Sequence, residues 1–105
     1  LATGLTLHRG LYVEPCARHG IDLIEPSPHQ REVLTESIMA VLAGVPLGAT
    51  RASLSLLLDQ LVASGARAVL LGCTDLGLVV GGATVPVPLY DSTLVLAEAL
   101  VQRCR

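Results

Sequence analysis

The sequence predicts an α/β fold, a parallel sheet with helices on both faces, and three observations carry that expectation. Ala68, Val69, Leu70 and Leu71 run unbroken and stop at Gly72, and so short an apolar run closed by glycine reads as a parallel strand buried on both faces. Two stretches before it repeat apolar residues at helical spacing behind clear start signals. Strand-like and helix-like pieces then alternate along the chain, the pattern of right-handed α/β units. The 105 residues allow one domain with a modest core.

Taken in order, Thr6 is placed to cap a helix running through Leu7, Leu11 and Tyr12. Pro15 falls inside that pattern, so the helix is expected to kink or end near Glu14, with Gly20 closing the segment. Ile21 to Ile24 reads as a short strand stopped by Glu25-Pro26. Ser27-Pro28-His29-Gln30 is a helix start in which Ser27 caps, Pro28 takes the first position and Gln30 completes a capping box. Val33, Leu34, Ile38, Val41 and Leu42 form its apolar face, and Gly44 with Pro46 ends it. A further helix is expected from about Thr50 to Ser64, with Leu54, Leu57, Leu58 and Leu61 inward and Gly65 as its stop. After the central strand comes a short helical or looped piece reaching Gly81-Gly82. Val85 to Tyr90 reads as an edge strand, since Pro86 and Pro88 each remove a ladder donor. Asp91 or Ser92 caps a last helix bearing Leu94, Leu96 and Leu100.

Composition excludes several functions. Net charge is −2 and the seven arginines are scattered without any lysine, which disfavours nucleic-acid binding. The apolar runs are far too short and interrupted to cross a bilayer. Three irregularly spaced cysteines make no disulfide framework and suit reduced thiols in a cytoplasm. Cys16-x-x-His19 has a metal-like step but no second pair to complete it, so no metal is expected.

Chemistry concentrates after the central strand. In an open α/β sheet, ligands bind outside the carboxyl ends of the strands. Cys73, Thr74 and Asp75 arrive there together behind Gly72, and a helix starting at Thr74 or Asp75 would favour a thiolate at Cys73. As a lone residue Cys73 also reads as a small buried hydrophobe.

The segment Gly-Cys-Thr-Asp-Leu-Gly-Leu (72–78) resembles the second catalytic motif of the aspartate/glutamate racemase family, usually Gly-Cys-Thr-Glu. Ala2-Thr3-x-x-Thr6 with Tyr12 resembles the opening of that family's second lobe, and 85–93 with the helix after it resembles its closing strand and last helix. The likeness covers nearly the whole chain but only about the carboxyl-terminal half of a family member. It implies one α/β lobe of a two-lobe fold over residues 1–105, with 85–105 packing on a missing amino-terminal lobe. It implies cofactor-independent racemisation of a small amino acid, with Cys73 as one of two thiol bases and Thr3, Thr74 and Asp75 at the substrate. Asp75 replaces the usual Glu with a reach one methylene shorter, and a plain turn-capping role stands beside the substrate role. Thr6, Asp91 and Ser92 are assigned to capping or support of the site.

The family's other thiol lies in a Cys-Asn-Thr type sequence that these residues do not contain. The chain also opens, without Met, where the lobe's first strand should be ending. It is therefore expected to be a fragment, inactive alone, and prone to pair as a homodimer through the apolar face of its last helix. Two other readings remain: a hydantoin racemase or aryl-malonate decarboxylase-like lobe, or an inert α/β module.

Overall fold

The computed structural model describes residues 10–80 and 85–104, with the backbone alone at Thr74 and Leu78. Its elements are α1 (Val13–Arg18), α2 (Pro28–Leu42), α3 (Leu47–Ala63), β1 (Val69–Leu71), α4 (Thr74–Val80), β2 (Leu89–Asp91) and α5 (Ser92–Arg103). The two strands pair in parallel, with Val69 opposite Leu89, Leu70 opposite Tyr90 and Leu71 opposite Asp91. A strand, a crossover helix and a parallel strand form the α/β unit the sequence anticipates.

Helix α2 starts as its first residues dictate. The Ser27 hydroxyl accepts from the Gln30 N–H at 3.2 Å, and the Gln30 side chain accepts from the Ser27 N–H at 2.9 Å. This capping box satisfies two amide groups that the first turn would leave unpaired. Ser27→Ala is therefore expected to cost about 1 kcal/mol of stability, read as a lower urea midpoint at unchanged slope. An unchanged midpoint would show that Pro28 alone sets the helix start.

The first three helices all end on a glycine. At α2, Gly44 (φ +72) donates to the Val41 carbonyl and Val45 to the Ala40 carbonyl; at α3, Gly65 (φ +101) donates to Val62 and Ala66 to Leu61. These paired bonds are the Schellman arrangement, which needs the left-handed backbone that glycine adopts without strain. In α1 the same pair runs from Gly20 to Ala17 and from Ile21 to Cys16.

The core lies on one face of the sheet. Leu34 and Ile38 of α2, Leu54, Leu57 and Leu58 of α3, Val69 and Leu71 of β1, and Leu76, Val79 and Val80 of α4 form one buried cluster. The inward residues of α2 and α3 repeat at three and four positions, as helical periodicity requires. Ser37, buried among them, donates to the Val33 carbonyl at 2.8 Å and so carries no unpaired hydroxyl. The Gln30 side-chain amide donates to that of Gln60 at 3.0 Å, joining the start of α2 to the end of α3.

Four boundaries differ from the sequence expectation, each for a local reason. Helix α1 begins at Val13 instead of ending near Glu14; Pro15 sits in its first turn, where the missing N–H would be unpaired anyway. Residues 21–24 form no strand among the described residues. Helix α3 starts at Leu47, because Pro46 opens it as the N-cap residue with extended ψ instead of only closing α2. Strand β2 begins at Leu89, not Val85: the ladder forms only past the two prolines, with the Pro88 carbonyl accepting from the Val69 N–H at 2.9 Å. Leu42, expected inward, is exposed. No described helix is long and apolar enough to cross a membrane.

Candidate active site

Strand β1 delivers Gly72 and Cys73 to the carboxyl end of the sheet, and α4 starts immediately beyond them. The Cys73 carbonyl accepts from the Leu76 N–H at 3.2 Å, closing the tight first turn of the helix. Cys73 thus stands at the position before the first helical residue. Its side chain is half-buried and packs against the edge of the core, an environment that a small apolar residue would also accept. Position, more than burial, marks it as a candidate: it is the thiol at a parallel strand's carboxyl end.

Thr74 is the first residue of α4 and Asp75 the second. Asp75 is half-buried, and a carboxylate in the first turn complements the helix dipole. Capping of that turn and contact with a substrate are both open to a carboxylate so placed. Asp91 ends β2 opposite Leu71, two residues before Cys73 on the neighbouring strand. Its Oδ1 accepts from the Thr93 N–H at 2.9 Å, which makes it the cap of α5, and Ser92 is that helix's first residue. The topology therefore brings Cys73, Thr74, Asp75, Asp91 and Ser92 to one end of the two-stranded sheet. Thr3 and Thr6 lie outside the described residues.

The other two thiols sit elsewhere. Cys104 is exposed at the end of α5, and Cys16 is half-buried on α1. Cys16 lines a cavity of about 900 Å³ together with Tyr12, Leu23, Leu70 and Tyr90, and Cys73 is not among its lining residues. This cavity lies on the face of the sheet opposite the core, where the alternation along β1 and β2 directs Leu70 and Tyr90. Gly77, within the Gly-Cys-Thr-Asp-Leu-Gly-Leu segment, faces the Asp91 carboxylate at the same sheet end as Cys73. Nothing in its local sequence signals that contact.

In solved structures, a candidate Asp/Glu racemase from Yersinia pestis superposes with a TM-score of 0.84 at 29% identity, over 94% of this chain and 44% of that one. This chain thus spans less than half the length of the relative it matches. The family model of Asp/Glu/hydantoin racemases matches residues 1–100. The strand-end thiol, the α/β unit around it and these two likenesses agree, and the chain belongs to the Asp/Glu/hydantoin racemase family.

Proposed function

We propose that the chain is the carboxyl-terminal lobe of a cofactor-independent amino-acid racemase of the aspartate/glutamate type, in which Cys73 exchanges the α-proton on one face of the substrate. The observation behind it is the place of Cys73, at the carboxyl end of β1 with α4 beginning at the next residue. In the proposed reaction the Cys73 thiolate takes the α-proton and the electron pair of the Cα–H bond stays on the substrate carbanion. A second thiol, supplied by a lobe outside these residues, returns a proton to the opposite face. Thr74 and Asp75 hold the substrate, Thr3 joins them, and Asp91 and Ser92 support the turn. The protein works in a reducing cytoplasm, where such thiols stay free. The family also includes hydantoin racemases; the carboxylate at Asp75 favours an amino acid with its ammonium group.

Deuterium incorporation at Cα of aspartate and glutamate from heavy water, followed by proton NMR with the intact protein, tests this reading. Exchange of either amino acid supports it. Exchange of a hydantoin alone moves the substrate class, and no exchange with any of them leaves a decarboxylase-like lobe or an inert module.

The last helix bears on the partner lobe. Leu94, Val95, Leu96, Leu100 and Val101 of α5 are all more than half exposed, an apolar surface that the other lobe covers in the proposed arrangement. The 105-residue chain produced alone is then expected to self-associate as a homodimer and to bind a hydrophobic dye. A monomer at micromolar concentration with no dye binding overturns that expectation.

A further inference from the structure

At the carboxyl end of the sheet a carboxylate rests against a glycine. Asp91 is fixed on two sides: its backbone pairs with Leu71 across the ladder, and its Oδ1 accepts from the Thr93 N–H at 2.9 Å. Its Oδ2 lies only 2.5 Å from where a Cβ on Gly77 would stand, and its Cγ 3.5 Å. The carboxylate therefore fills the space that any other side chain at position 77 would need. Rotating it away would break the bond to Thr93 that starts α5. Gly77 is the fourth residue of α4, one helical turn in from the Gly72–Cys73 turn that precedes the helix. The Asp91 carboxylate accordingly abuts α4 one turn beyond the half-buried thiol.

We infer that Asp91 is a positioning residue for Cys73: its carboxylate, tied to Thr93 and seated on the bare backbone of Gly77, clamps α4 and with it the Gly72–Cys73–Thr74 turn against the end of β2. Its consequence for activity rests on the proposed role of Cys73, while the clamp itself does not. The clamp joins three elements, β2, α4 and α5, at one carboxylate. It also gives position 77 an unusual sign. Alanine in place of glycine inside a helix ordinarily stabilises it, whereas here the added methyl group evicts the carboxylate.

A double-mutant cycle on Gly77→Ala and Asp91→Ala in the intact protein tests the clamp. The readouts are the urea midpoint and the iodoacetamide alkylation rate of each cysteine, resolved by mass spectrometry. Gly77→Ala alone is expected to lower the midpoint and to raise Cys73 alkylation roughly fivefold, the local opening that follows from losing one helix cap. Cys16 and Cys104 should keep their rates, which separates a loosened turn from general unfolding. With Asp91→Ala already present, Gly77→Ala should become neutral or stabilising. Asp91→Asn retains the acceptor for Thr93 and the shape on Gly77, and should behave like the native protein. Additive effects of the two alanine changes, or unchanged Cys73 alkylation in Gly77→Ala, overturn the inference. Should Gly77→Ala fail to fold, the comparison of Asp91→Ala with Asp91→Asn decides: equal Cys73 rates in the two sink the clamp. Absence of amino-acid exchange in the native protein would sink the racemase reading and leave this thiol test intact.

Discussion

Cys73→Ser in the intact protein is expected to lower Cα deuterium exchange of the amino-acid substrate by about 10²–10⁴-fold, the range that a positioned acid–base group contributes. The reason lies in the chemistry of the replaced atom. A thiol ionises within reach of neutral pH and its anion is a competent base, while a serine hydroxyl stays protonated. Size hardly changes, so the half-buried place at the core edge still accepts the side chain and the unfolding midpoint should move little. Loss of exchange in a folded variant assigns the base to Cys73. Retention of exchange would return Cys73 to the role of a small packing residue and move the chemistry to another group.

Leu54→Ala carries the largest expected effect on stability. Leu54 is 0% exposed and sits where α2, α3 and α4 meet the sheet. Truncating a leucine in such a place removes buried methyl groups and leaves a cavity, together costing about 2–5 kcal/mol. A domain of this size has only about 5–15 kcal/mol to lose. At about 4–8 °C per kcal/mol, the thermal midpoint should drop by at least about 8 °C. Leu56→Ala is the matched control: two residues on, it is 60% exposed, and its midpoint should move by no more than about 0.5 kcal/mol equivalent. Equal effects of the two changes would mean that α3 is not seated by the face described above.

How far the sequence could be read depended on how local the controlling physics was. The start of α2 was fully legible, because Ser27, Pro28 and Gln30 act on amide groups within one turn of themselves. The inward face of α3 was legible too: Leu54, Leu57, Leu58 and Leu61 repeat with the helix and all four are buried. Helix stops at Gly44 and Gly65 followed from the backbone conformation those positions adopt. The site was legible as a cluster, since one strand end carries Cys73, Thr74 and Asp75 in consecutive positions.

Other features depend on parts of the chain that meet only after folding. Pro15 reads in sequence as a helix breaker, yet it falls in the first turn of α1, because that helix begins only two residues earlier. The span of β2 is set by where the Pro88 carbonyl can meet the Val69 amide, a pairing between segments some twenty residues apart in the chain.

What the amino-acid order alone settled was the class of fold, the helix faces and the thiol at a strand end, since periodicity and capping act over a few residues. What required the folded chain was the meeting of Asp91 with Gly77, fourteen positions apart in sequence and in contact at one end of the sheet. A carboxylate finds a glycine only when the parallel pairing of β1 with β2 has placed α4 beside it, and no pattern along either segment encodes that distance.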